Sequence, residues 1–254
     1  MKEVALFYGA ALAGIVELRD YHYYTHRNSG APVERDFKYA IVFAIEMPKA
    51  MIDRAPQRET LLATGNGYVQ AAFTGARLSG YIKSLGYDTS LSCMVSYDAP
   101  LALLAEQAGI GQIGRCNVIV TKQFGNRVRL GAVMTNLPLV ADQPDDFGLK
   151  EFCMRCGKCA ANCPVRALSS TEPHLINGSL VWEHDEVKCM RMWTKASTDC
   201  AICIVSCPFT QGVDPEKVNA MKGNPAIMKE ILREDAEKNG ARVYNPQPLP
   251  IAKV

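Results

Sequence analysis

The run FCMRCGKCAANCP leaves two, two and three residues between Cys153, Cys156, Cys159 and Cys163, with Pro164 directly after the last. This is the spacing of bacterial ferredoxins, in which the fourth cysteine serves a different cluster from the first three. Two-residue gaps let a short loop turn three sulfurs toward one [4Fe-4S] cubane, while Cys163, on the following turn, faces away toward a second. A partner motif is therefore required. The string CAICIVSCPF supplies most of it: Cys200, Cys203 and Cys207, followed by Pro208, repeat the last part of the spacing. The missing first ligand must come from upstream, where Cys189 is the only cysteine between the two runs, so ten residues replace the usual two. Crossed ligation then gives Cys153, Cys156, Cys159 and Cys207 to one cluster, and Cys163, Cys189, Cys200 and Cys203 to the other.

A zinc ribbon pairs two CxxC units across a longer loop and fits four cysteines in eleven residues poorly. A disulfide framework needs an oxidising compartment, and no secretory apolar segment opens the chain, so a cytoplasmic location with free thiols is expected. Cys93 and Cys116 have no ligand spacing and read as ordinary half-buried thiols. The 28 basic and 26 acidic residues are spread evenly, net +2, without the broad cationic face that nucleic-acid binders use. No stretch of 18 apolar residues exists to span a membrane.

At 254 residues and 48% hydrophobic content the chain is too long for a ferredoxin alone, so a larger domain must precede the clusters. Residues 2–18 read as a helix feeding a strand, and YAIVFAIEM, closed by Pro48, as a buried central strand. Between Thr60 and Leu85 the pattern is helical. It carries two rows of small residues, Ala71, Gly75, Ser79 and Ala72, Ala76, Gly80, which suit either tight packing or a wall against a flat cofactor. Asp98 is placed to cap a helix beginning near Pro100. Next comes GIGQIGRCN, where Gly109, Gly111 and Gly114 let backbone amides approach a ligand; with Arg115 and Asn117 they are the candidate cofactor-binding residues. NVIVT and RVRLGAVMT then read as a hairpin around Gly125, and ADQPDDFG as an acidic linker. The expected domains are residues 1–148, 149–213 and a helical to extended segment, 214–254.

The stretches FYGAALAGI, GYVQAAFTGARLSGYIKSLGY, APLALLAEQAGIGQIGR, TNLPL and DQPDDFGLKEFC, in this order with the double cysteine run, resemble the catalytic core shared by cobalamin-dependent reductive dehalogenases and epoxyqueuosine reductases. The resemblance covers residues 4 to 210 and is closer to the dehalogenase branch. It implies an α/β (α+β) fold: a nitroreductase-like domain burying a base-off corrinoid, then a ferredoxin-like domain whose two [4Fe-4S] clusters deliver electrons to cobalt. Asp20-Tyr21-His22 begins the Asp-x-His-x-x-Gly signature of base-displacing folds, but Thr25 follows where glycine is needed, which agrees with the base-off family. Reducing cobalt to its Co(I) state needs a low potential, and cubanes reach well below about −400 mV. The cluster of Cys163, Cys189, Cys200 and Cys203 is expected to lie nearer cobalt.

The resemblance implies further that Tyr68 is the proton donor of a reductive carbon-halogen cleavage, with Arg115 as its basic partner, and that Asp98 stands where epoxyqueuosine reductases carry their acid. The bland readings are a packed tyrosine, an arginine tied to backbone and a helix cap. Implied partners are a ferredoxin- or flavodoxin-type low-potential donor and a small organic substrate, in an anaerobic setting. Gln112 departs from the glutamate usual in the dehalogenase stretch. The sequence also shows neither the long N-terminal extension and secretion signal of respiratory dehalogenases nor the helical-repeat tail of epoxyqueuosine reductases. A more open cobalt site is expected from this, leaving a non-catalytic corrinoid-binding electron carrier as the alternative and ranking epoxide reduction lower.

Overall fold

The apolar run YAIVFAIE forms a strand, Tyr39–Glu46, that is buried from Ala40 to Ile45, and one half of the chain is built around it. The computed structural model describes residues 1–94, 96–176 and 179–252. The chain divides into two units: the first comprises Met1–Glu46, Asn66–Gly111 and Val128–Asp145, the second Met47–Gly65, Gln112–Arg127 and Asp146–Val254.

The first unit is a four-stranded antiparallel sheet in the order Leu12–Glu17, Tyr39–Glu46, Val128–Thr135, Thr89–Ser92. Alternation along a strand sends Ile41, Phe43 and Ile45 to one face. There they pack with Ile15 and Val133 against Ala71, Leu78 and Ile82 of the long helix Arg58–Ser84. Full burial of each such side chain stabilises the fold by about 2 kcal/mol before entropy is counted. The Phe43 ring fills space that two glycines leave: an added Cβ would come within 3.3 Å of its Cζ at Gly75 and within 2.5 Å at Gly131. The row Ala71, Gly75, Ser79 is therefore a packing surface, with Ser79 and Thr89 sharing a hydroxyl hydrogen bond of 2.5 Å. The row Ala72, Ala76, Gly80 turns outward, and nothing lies within 4 Å of a Cβ built at Gly80. On the opposite face sits the short helix Leu101–Gln107, approached so closely that a Cβ on Gly14 would lie 2.2 Å from the carbonyl oxygen of Ala108.

Three expectations change here. The helix Leu101–Gln107 opens at Pro100 with no side-chain cap, so Asp98 is not its N-cap; its carboxylate is drawn instead to Arg27 and Ser90. The hairpin around Gly125 shrinks to a single bridge, Thr121 to Gly125, because Val128–Thr135 is taken up by the sheet and Ile119–Val120 pairs back with Gln112–Ile113. The division is also discontinuous rather than falling at residues 148 and 213. Val120 joins Phe147, Phe152 and Phe209 in one apolar cluster, and Met47, Ile52, Ala55 and Ala63 pack with Val205 in another, which groups residues 47–65 and 112–127 with the cysteine-bearing half.

The second unit is made of short helices, and its caps are legible. Asp214 accepts from the Glu216 amide ahead of Pro215–Ala220, Asn224 from Ile227 ahead of Pro225–Asn239, and Asp185 from Lys188 ahead of Glu186–Ala196. Val218, Met221, Met228 and Ile231 join the cluster around Phe152, so residues 214–239 pack as part of this unit. Among the described residues no helix is long and apolar enough to cross a membrane.

Candidate metal centre

Helix Leu149–Cys156 ends at Gly157, whose left-handed φ of 63° turns the chain directly into Lys158–Ala161. This turn sets Cys153, Cys156 and Cys159 around one cavity. Cys207, just ahead of Pro208–Gln211, joins them on its wall, where Gly114, Arg115, Cys116, Val120, Phe152 and Phe209 also stand. Burial pushes the Cys153 thiol up to about 12 and raises those of Cys156 and Cys207. Backbone amides oppose this. The amide of Lys158 bonds the Cys156 sulfur, Phe209 that of Cys207, Ile202 that of Cys200 and Arg115 that of Cys153, and the Ala167 amide lies 3.2 Å from the Cys163 sulfur.

Cys163, Cys189, Cys200 and Cys203 act on one another through charge. Burial raises the Cys189 thiol, and the charges of Cys200 and Cys163 raise it further; burial likewise raises Cys200, with Cys163 adding to it. Burial raises Cys203 well above its ordinary value, with Cys116, Cys200, Cys189 and Cys163 contributing. Helix Glu186–Ala196 presents Cys189, and the turn Ile202–Val205 presents Cys203. All ten cysteines are free. Among the described residues no group of three or more His, Cys, Asp or Glu closes on a point suited to a single metal ion. Soft sulfur ligands spread around a cavity, with amides directed at them, fit an iron-sulfur cluster: the metal would replace the thiol protons and the amide bonds would stabilise the thiolates.

Arg115 belongs to this cavity. Its Nε donates to the Cys153 carbonyl at 3.1 Å, its Nη1 to the carbonyls of Ser169 and Thr171 at 3.0 and 3.2 Å, and its guanidinium lies 5.0 Å from the centre of the Trp182 ring. The backbone contact foreseen as the plain alternative is thus the one observed. Gly114 packs here too, since a Cβ on it would lie 3.0 Å from Val120 and 3.7 Å from the Cys153 sulfur. Asn117, at φ 59°, turns the hairpin of Gln112–Ile113 and Ile119–Val120. Gly109 and Gly111 belong to the first unit, where a Cβ on Gly109 would meet the Gln143 carbonyl at 2.6 Å. Protein, and not open space, therefore fills the approach at Gly109 and Gly114. Cys116, expected as an ordinary thiol, is a buried part of the cysteine cavity.

In the first unit Tyr68 projects half-buried from the long helix. The guanidinium over its ring is that of Arg129, 5.0 Å from the centroid, while Arg115 bonds backbone carbonyls in the second unit. Tyr97 hydrogen-bonds to Tyr68, and burial, then that neighbour, raises the Tyr97 phenol. Sequence reasoning missed both residues; the available signals were a basic residue inside the apolar strand RVRLGAVMT and the tyrosine next to Asp98. Asp98 itself, 3% exposed, is held by Arg27 Nε and Nη2 at 2.6 and 3.1 Å and by the Ser90 hydroxyl at 2.7 Å, while its amide donates to Ser92 Oγ.

Comparison with known proteins follows these two sites. Residues 152–211 match the 4Fe-4S dicluster domain family. The tetrachloroethene reductive dehalogenase of Sulfurospirillum multivorans is 35% identical over 179 residues, which cover 68% of this chain and 35% of that protein. An epoxyqueuosine reductase of Lactococcus garvieae is 29% identical over 162 residues, 58% of this chain and 42% of the other. The structure of the catabolic reductive dehalogenase NpRdhA has the same fold, with a TM-score of 0.84 at 23% identity over 94% of this chain and 36% of that one. The chain spans about a third of the length of the dehalogenases it matches.

Proposed function

This chain belongs to the family of cobalamin-dependent reductive dehalogenases and epoxyqueuosine reductases, and from that premise we propose that it is a corrinoid- and iron-sulfur-dependent oxidoreductase of the dehalogenase type. The eight motif cysteines would hold two [4Fe-4S] clusters fed by a ferredoxin- or flavodoxin-type donor, and a base-off cobalamin would supply the low-potential chemistry for reductive cleavage of a carbon-halogen bond of a small organic substrate. The observation carrying the iron-sulfur part is the cavity lined by Cys153, Cys156, Cys159 and Cys207; Cys163, Cys189, Cys200 and Cys203 are assigned to the second cluster by their ferredoxin-like spacing. The corrinoid rests on the family, including a reductive dehalogenase whose structure suggests a mechanism for B12-dependent dehalogenation. In this proposal the first unit, taken as nitroreductase-like, would hold it, though not through Gly109, whose approach the Gln143 carbonyl fills.

Tyr68 is the proton donor in this proposal. Arg129 packs over its ring and Tyr97 is hydrogen-bonded to it, which together hold the side chain in place. Arg115 serves the first cluster, tying the Cys153 carbonyl to the chain around Ser169 and Thr171. Asp98 is assigned the anchoring of Arg27 to the sheet; in an epoxide-reducing enzyme it would be the acid.

Anaerobic reconstitution should give about eight iron and eight sulfide per chain, and added cobalamin should show a base-off Co(II) spectrum. Turnover of haloaromatics or haloalkenes with reduced methyl viologen then separates an enzyme from a corrinoid-binding carrier, and failure to bind cobalamin removes both. Tyr68→Phe should abolish turnover while cobalamin stays bound. A fully active Tyr68→Phe variant would sink the assignment of the proton donor.

A further inference from the structure

Cys116 is the cysteine of the first cavity that neither ferredoxin-like run provides. It is 6% exposed and shares the wall with Cys153, Cys156, Cys159 and Cys207. Its sulfur and that of Cys159 face the same cavity, and Asn126 Nδ2 donates to the Cys116 sulfur at 3.3 Å. Asn126 is fixed in turn: its amide donates to Thr210 Oγ1 at 3.2 Å, and Thr210 donates back to its side-chain oxygen. The sulfur of Cys116 is therefore held in the cavity beside Cys159. A buried thiol can be a small apolar filler, but a filler needs neither an amide donor on its sulfur nor a place among four other thiols.

A cubane takes four cysteine ligands, and this cavity offers five. We propose that Cys116 is a reserve ligand of the first cluster, able to exchange with Cys159 at the same iron. The step rests on the reading that this cavity holds a [4Fe-4S] cluster. As the iron-sulfur bond to Cys159 breaks and one to Cys116 forms, the proton of the Cys116 thiol is taken up by the released Cys159 sulfur. No electron changes hands and no other reactant is needed. Loss of one ligand then leaves the cluster with four irons, where an ordinary site would fall to three.

Iron content and EPR of the anaerobically purified full chain test this. Wild type should hold two four-iron clusters; a wild type without them overturns the function proposed above, and the reserve ligand with it. Cys159→Ala should keep the wild-type iron content and show no three-iron signal. Cys156→Ala, which removes a ligand that Cys116 does not pair with, and the double variant Cys116→Ala/Cys159→Ala should both show that signal. If Cys159→Ala matches the double variant, the reserve ligand is refuted while the clusters stand. Should Cys159→Ala fail to fold, Cys116→Ser decides: nearly isosteric but a poorer iron ligand, it should lose iron to a chelator several-fold faster than wild type. An unchanged rate overturns the proposal.

Discussion

The first unit surrounds Phe43, Ile41 and Ile45 with a sheet and two helices, whereas the second has its largest apolar cluster fringed by Cys153, Cys156 and Cys207. In the first, strand alternation alone specifies the interior. In the second, the residues that finish the interior are cysteines proposed as cluster ligands, and helices as short as Lys158–Ala161 and Ile202–Val205 have too few internal hydrogen bonds to hold themselves. On the proposed function, the first unit is stabilised by apolar burial alone, and the second by apolar burial together with coordination. The sharpest way to break this contrast is to remove the iron. Anaerobic chelation should abolish amide-exchange protection across residues 149–211 while Tyr39–Glu46 and Val128–Thr135 stay protected. Equal loss in both units would show that the contrast is wrong.

The next largest effect strikes only the sheet unit. Gly14→Ala drives a methyl group to 2.2 Å from the Ala108 carbonyl oxygen, a backbone atom with no rotamer to move, and should cost about 2–3 kcal/mol in chemical denaturation. Cluster content should stay at the wild-type level. A loss below about 0.5 kcal/mol would mean that the helix Leu101–Gln107 is free to retreat from the sheet.

The same contrast explains what could be read from the sequence. Cysteine spacing is a covalent constraint, so the place of Cys207 beside Cys153, Cys156 and Cys159 could be expected residue by residue before any fold was known. The central strand and the long helix were equally plain, because period-two and helical patterns are local. The basic partner of Tyr68 was not local: Arg115 and Arg129 are both arginines close in sequence, and only strand pairing, which binds Val128–Thr135 into the sheet, separates their surroundings. Cys116 was missed for a related reason, having no spacing of its own and reaching the cavity through a hairpin.

A smaller effect falls on the entry to the first cluster helix. Gln112 Oε1 accepts from the amides of Phe147 and Leu149 at 3.2 and 3.0 Å, and its Nε2 donates to Asp146 Oδ1 at 3.0 Å. Hydrogen bonding by Lys222, first among its causes, holds the Asp146 carboxyl below its ordinary range, so a second carboxylate there would face a charged one. Gln112→Glu, the residue usual in the dehalogenase stretch, keeps both accepted bonds but exchanges a donor for a like charge. It should cost about 1 kcal/mol at neutral pH, regained as the solution is acidified. A variant as stable as wild type at pH 7 would show that Lys222 neutralises both groups.

The smallest effect returns to the sheet unit. His22 is fully buried; its Nδ1 accepts from the Arg19 amide at 2.9 Å, and its Nε2 donates to Gln107 Oε1 at 2.6 Å. This pattern suits a neutral imidazole, because a proton on Nδ1 would confront an amide that also donates. Burial, the largest cause, lowers the His22 pKa, with Arg19 adding to it and the Gln107 bond opposing. The unfolded chain therefore binds the proton at a higher pH than the folded one. Stability from this residue is fully present above about pH 6.5 and is lost as pH falls from there through the folded value. Amide exchange in Leu12–Glu17 should quicken, beyond the intrinsic pH effect, between about pH 7.5 and 5.5 by an amount corresponding to no more than about 1 kcal/mol. His22→Gln, which does not titrate, should remove that dependence while leaving the cysteine-bearing unit unchanged, and a slope that survives the substitution would assign it to another group.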